Sequence, residues 1–207
     1  MKLFLTSAGL KNEKVKAEFI KLFNRPFEEI NVIMFYLVKV KEEMFYINES
    51  IQELLDLGIS KENLQQFNLA EDKKCEDLNN SDLVYVCGGN TFHYLDRLRK
   101  LECIEKIKDF VNMGGLYLGV SAGSVLAGLN INISSPWDEN DIGLTDFIGF
   151  NFIDFAICPH YEYKDHEIIK QRQKDLDVPV RLLKDDQAFI VLDSEIKLVG
   201  EGKEIKI

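Results

Sequence analysis

The residue best placed for covalent chemistry is Ser121, in Gly119-Val120-Ser121-Ala122-Gly123. Residues 116–120 form an apolar run that reads as a short buried strand, and 122–126 continue as an apolar, helix-compatible run. Strand, sharp turn and helix are the context that a nucleophile elbow requires. Such a turn strains the serine backbone, so its neighbours must be nearly free of side chain, as Gly119, Ala122 and Gly123 are. The helix then aims backbone N–H groups and the positive end of its dipole at the hydroxyl. Taken alone, these five residues fit an inert serine in a glycine-rich turn equally well. The rest of the chain decides between the two.

A serine nucleophile needs a base within hydrogen-bond reach, and at neutral pH that base is usually histidine. The chain has three. His93 sits in a helical pattern between Phe92 and Tyr94 and reads as packed or on the surface. His166 opens a polar helix and reads as solvated. His160 follows Pro159 at the carboxyl end of an apolar strand, the edge where sites form in a doubly wound sheet, and is the favoured base. Two places offer a carboxylate to hold its tautomer: Asp138, Glu139 and Asp141 between nucleophile and base, and Asp185-Asp186 beyond it. Two N–H donors are also needed for the oxyanion of a tetrahedral intermediate. One expected donor is the amide of Ala122. The other comes from Gly88-Gly89, whose bare backbone allows close approach to substrate.

The elements that must position these groups alternate between strands and helices. Strands are expected over 2–6, within 30–40, over 66–68, 83–87 and 116–120, and over 152–158. Helices are expected over 13–23 with Asn12 as N-cap, over 51–57 with Ser50 as cap, over 92–101, 104–111 and 166–174. Ser60 caps a further turn, and 71–80 reads as a loop or short charged helix. Short strands over 180–183, 188–192 and 196–199 read as an antiparallel extension at the sheet edge. This pattern predicts an α/β fold with a doubly wound, mostly parallel sheet. No linker divides the chain, so residues 1–207 are expected to form one domain.

Of the 207 residues 46% are hydrophobic and 29% charged, ordinary values for a globular chain. The formal net charge of −10 disfavours nucleic acid and anionic membrane as partners. The four cysteines, Cys75, Cys87, Cys103 and Cys158, form no C-x-x-C pair and have no histidine at zinc-ligand spacing. Neither a signal peptide nor a membrane-length apolar run is visible, which makes a cytoplasmic location the expectation.

Cys87-Gly88-Gly89-Asn90-Thr91-Phe92, then the Ser121 pentapeptide, then Pro159-His160-Tyr161 together resemble the peptidase E (alpha-aspartyl dipeptidase) family and its cyanophycinase relatives. The similarity runs from the first strand to Asp186-Gln187-Ala188. It implies a class I glutamine amidotransferase-like fold with serine where the amidotransferases carry cysteine, and a cytoplasmic serine peptidase needing no metal or cofactor. Its substrate would be a small peptide, with N-terminal Asp as one candidate; a homodimer is compatible with this reading. The resemblance makes Ser121 the nucleophile, His160 the base, and Gly89 and Ala122 the oxyanion donors. For the acid it supports Asp186 first and Asp138 as the alternative. Asp186 precedes the apolar run 188–192, so its support is rigid, and its carboxylate is expected on His160. Gly88 and Asn90 are candidate substrate-binding residues. Where the aspartyl dipeptidases carry an arginine for the acidic substrate side chain, this chain has Ile169, with Lys170 and Arg172 as nearby candidate cations. Strict Asp-X specificity is therefore less expected than peptidase activity. The competing readings are an amidase acting on another small acyl substrate and a non-catalytic regulatory relic.

Overall fold

The computed structural model describes residues 1–40, 44–75 and 77–207. Its strands are β1 (Lys2–Thr6), β2 (Val32–Tyr36), β3 (Leu64–Asn68), β4 (Leu83–Val86), β5 (Leu116–Val120), β6 (Ala156–Cys158), β7 (Val180–Leu182), β8 (Gln187–Leu192) and β9 (Glu195–Gly200). The α-helices are α1 (Glu13–Ile20), α2 (Met44–Asp56), α3 (Thr91–Lys100), α4 (Cys103–Asn112), α5 (Ala122–Leu126) and α6 (His166–Leu176). Seven strands form one sheet in the order β3-β2-β4-β5-β1-β8-β9. The first five run parallel; β8 and β9 are antiparallel to their neighbours. The expected α/β fold with a mostly parallel sheet and an antiparallel extension is the fold found.

The central strands are apolar on both faces because both faces are covered. Leu83, Val84, Tyr85 and Val86 of β4 are fully buried, as are Tyr117 and Leu118 of β5. The helices supply the cover through one stripe each. In α2, Ile47 and Leu54 are buried and Met44 and Ile51 pack against the same core. That stripe begins at Met44, so α2 starts well before residue 51 and Ser50 lies inside it rather than capping it. Asn12 does cap α1, accepting from the N–H groups of Lys14 and Val15. Ser60 precedes a short 3-10 turn without a side-chain cap bond. The segment 71–80 is irregular among its described residues; Glu76 lies outside them.

Two expected strands sit elsewhere than expected. Only Ala156–Cys158 of 152–158 is strand, and it pairs in parallel with β7 in a separate two-stranded sheet. Leu183 N–H donates to the Cys158 carbonyl and Tyr161 N–H to that of Leu183, which extends this pairing to the residues around His160. Among the described residues no helix is long and apolar enough to cross a membrane.

One register brings the functional edge together. Thr6 lies beside Val120, and Val86 beside Gly119, so the carboxyl ends of β1, β4 and β5 are side by side. Antiparallel β8 begins where β1 ends, with Ala188 beside Thr6. The residues just before β8 therefore join those just after β1, β4 and β5 at a single edge.

The turn into α5 depends on two glycines. A Cβ on Gly119 would stand 2.6 Å from the carbonyl oxygen of Gly123, and one on Gly123 would collide with the Val86 carbonyl. Gly119→Ala should cost roughly 1–3 kcal/mol as an overpacked contact against backbone. Its denaturant midpoint, compared with wild type at equal m-value, checks this; an unchanged midpoint would refute the close approach.

Candidate active site

Ser121 sits between β5 and α5 at φ 51°, ψ −111°, outside the regions favoured by side-chain-bearing residues. The conformation is held from both sides: its N–H donates to the Thr6 carbonyl at 3.0 Å, and its carbonyl accepts from Ser124 and Val125 of α5. Strain of this kind costs on the order of 1–3 kcal/mol and persists where surrounding structure enforces it. The hydroxyl lies at the sheet edge, 2.8 Å from His160 Nε2. His160 also has a positive φ, 56°.

The acid differs from the expected one. Asp185 Oδ1, not an oxygen of Asp186, lies 2.6 Å from His160 Nδ1. A carboxylate only accepts, so Nδ1 carries the proton and Nε2 is left to accept from the Ser121 hydroxyl. Asp185 and Asp186 lie in the turn before β8, closed by Gln187 N–H donating to the Lys184 carbonyl at 3.0 Å, and only Asp185 reaches the imidazole. Asp186 instead holds the end of β9 through its backbone: its carbonyl accepts from Glu201 N–H. Its Oδ1 is buried without a hydrogen-bond partner.

Ser7, just beyond β1, completes the network and was not legible as a site residue. Its hydroxyl donates to Asp185 Oδ1 at 2.7 Å and accepts the His160 backbone N–H at 2.7 Å. It is fully buried, whereas the side chains of His160 and Asp185 are 50% and 65% exposed. One buried hydroxyl thus positions two exposed partners. The only available signal was a serine at the carboxyl end of a central strand.

Asp138 is not on the imidazole either. Its Oδ2 accepts from the N–H and the hydroxyl of Thr91, at 2.9 and 2.6 Å, and so caps the first turn of α3 from another segment. Asn90 caps the same helix within the chain, through His93 N–H, while its Nδ2 donates to the Glu139 carbonyl. Asn90 is spent on these bonds and lines neither cavity at Ser121. His93 pairs with Asp141, holding that carboxyl below its ordinary range. The acidic stretch 138–141 therefore fastens a loop onto α3. His166 is not merely solvated: it hydrogen-bonds the Tyr161 hydroxyl and stacks on Tyr163.

The backbone of Ala122 and of Gly88-Gly89 borders Ser121. Ala122 is the first residue of α5, so its N–H has no intrahelical acceptor. The Gly88 carbonyl accepts from the buried Tyr94 hydroxyl at 3.0 Å. In a trans peptide the Gly89 N–H then points away from Tyr94. A Cβ on Gly88 would lie 3.1 Å from Ser121 Cβ, which places this peptide against the nucleophile candidate.

Two cavities meet at Ser121, His160 and Gly89. One, of about 340 Å³, extends past Thr91, Ala122, Trp137 and Asp138. The other lies across Ser121 toward α2. Cys158 lines the first, but burial, with Asp165 nearby, pushes its thiol up to about 12, which leaves it a poor nucleophile. Lys170 and Arg172 line neither. Lys170 borders a groove at the far end of α6, Arg172 donates to the Asn132 carbonyl at 2.8 Å, and Ile169 is buried.

Asp138→Ala should remove the cap on α3 and cost about 0.5–2 kcal/mol. Asp138→Asn keeps the accepting oxygen and should stay near wild type. Thermal unfolding of the two variants checks this, and equal losses would show that the charge, not the cap, matters.

Known proteins bear on this geometry. The sequence model of Peptidase family S51 matches residues 3–199. An uncharacterized peptidase of Pasteurella multocida is 30% identical over 170 residues, covering 78% of this chain and 80% of that protein. Peptidase E of Nostoc sp. is 34% identical over 139 residues, covering 64% of this chain and 51% of its own. The crystal structure of a Listeria monocytogenes protein provisionally named peptidase E shares the fold, with a TM-score of 0.79 at 24% identity, covering 97% of this chain and 98% of that one. With the family match running over nearly its whole length, the chain belongs to peptidase family S51 and is a serine-type peptidase.

Proposed function

We propose that the chain, working as one α/β unit, hydrolyses small peptides through an acyl-enzyme on Ser121, with His160 as general base and Asp185 as its carboxylate partner. The observation that carries this reading is the continuous chain Ser121 Oγ, His160 Nε2, His160 Nδ1, Asp185 Oδ1, with links of 2.8 and 2.6 Å. Ser121 Oγ attacks the scissile carbonyl while its proton passes to Nε2. The carbonyl electron pair moves onto oxygen, facing the N–H groups of Ala122 and Gly89. Collapse of the intermediate breaks the C–N bond, and the imidazolium gives its proton to the departing amine. Water, losing a proton to His160, then attacks the acyl carbon; the acyl–Oγ bond breaks, the imidazolium returns its proton to Ser121 Oγ, and the acid leaves. Asp185 keeps the proton on Nδ1 throughout and stabilises the imidazolium.

Recognition of an N-terminal Asp side chain is left out of this proposal, because Lys170 and Arg172 are directed elsewhere. Turnover of a dipeptide panel tests the roles. Ser121→Ala should lower it by roughly 10³-fold or more. Asp185→Asn should cost about 10³–10⁴-fold through the wrong tautomer, and Asp186→Asn less than about tenfold. Near-wild-type turnover by Asp185→Asn, with circular dichroism unchanged, would contradict the assignment.

A further inference from the structure

The cavity on the α2 side of Ser121, about 350 Å³, is lined among the described residues by the charged side chains Lys11, Glu49 and Glu53, together with His160. Lys11 Nζ lies 3.0 Å from Glu49 Oε2, so those two compensate each other. Glu53 remains. Its Oε2 accepts the Leu10 backbone N–H at 3.0 Å, and among the described residues no basic side chain pairs with it. A carboxylate offers about four acceptor positions, so most of this one's capacity is open. The carboxylate is also fixed in place. It packs so closely on Gly9, itself at φ +78°, that a Cβ there would come within 2.8 Å of Oε2. Burial pushes the Glu53 carboxyl above its ordinary range, and the Leu10 N–H and the more distant Lys11 and Lys16 offset this only in part.

The cavity on the other side repeats the sign of the charge. Asp138, Glu162 and Asp165 line it, and Lys164 there lies 2.8 Å from Glu162. A substrate carboxylate entering either cavity thus meets excess negative charge, whereas an ammonium group entering the α2 side meets a fixed carboxylate that has no ion-pair partner among the described residues. We propose that Glu53 is the specificity-determining residue of this site and binds an ammonium group of the peptide while the scissile carbonyl lies at Ser121. The proposal rests on the reading of Ser121 as nucleophile. The ammonium belongs either to the peptide's N-terminus or to a lysine side chain; both present the same N–H donors to the carboxylate.

Calorimetric titration of Ser121→Ala protein with three probes tests this: alanyl-alanine, N-acetyl-alanyl-alanine and N-acetyl-lysyl-alanine. At least one ammonium-bearing probe should bind about tenfold or more tighter than the neutral one, the range expected for a hydrogen bond to a charged group. A preference for alanyl-alanine identifies the N-terminus, and one for N-acetyl-lysyl-alanine identifies the side chain. Adding Glu53→Gln should abolish the preference. Equal binding of all three probes overturns the proposal without need of the second variant, and so does a preference that survives Glu53→Gln in folded protein. Reaction of wild-type protein with a fluorophosphonate reports separately on the nucleophile. An adduct on Ser121 with no ammonium preference removes Glu53's role alone, whereas absence of the adduct removes the nucleophile reading.

Discussion

The Ser7 hydroxyl, holding the backbone of His160 and the carboxylate of Asp185 at 2.7 Å each, is the contact on which the site's geometry depends. Both partners are solvent-exposed, and exposed charged groups are poorly fixed by packing or by their mutual attraction. A buried hydroxyl at the end of a central strand is fixed, because β1 pairs with β5 on one side and β8 on the other. That rigidity passes through two hydrogen bonds to the imidazole and so to Ser121 Oγ. Misplacement of about 1 Å at such a site can cost about 10²-fold in rate, so the proposed mechanism requires this anchoring.

The same arrangement appears around Ser121. Ser121 and His160 both sit at positive φ, with Ser121 N–H held by the Thr6 carbonyl and His160 N–H by the Ser7 hydroxyl. Tyr94, fully buried, orients the Gly88-Gly89 peptide; Asp138 caps the helix that begins two residues later. Each polar group at the mouth is thus oriented by a partner rooted in a strand or helix.

Sequence made part of this legible. Gly119 and Gly123 were readable because a five-residue motif encodes local close approach, and the structure gives the obstructing carbonyls. His160 was readable as a residue at the end of a strand. The choice between Asp185 and Asp186 was not: it turns on a one-residue register set by β8 pairing with β1, 180 residues away in sequence, where Ala188 lies beside Thr6. Ser7 was hidden for the same reason, since its partners at 160 and 185 are joined to it only by topology. Lys170 and Arg172 had the right charge on a plausible helix, but Lys170 borders a groove away from Ser121 and Arg172, on the face of Ile169, is held on the Asn132 carbonyl. Segment 180–183 had strand-like residues, and only the fold could assign it to β6 instead of the sheet edge.

The account's central claim is that Asp185, oriented by Ser7, keeps the His160 proton on Nδ1 and leaves Nε2 open to Ser121. Nitrogen-15 NMR of labelled histidine at neutral pH measures this directly. The predicted result is a His160 spectrum with the proton on Nδ1, lost in Asp185→Asn and retained in Asp186→Asn. A proton on Nε2 in the wild-type protein, or a spectrum unchanged by Asp185→Asn, would contradict the account.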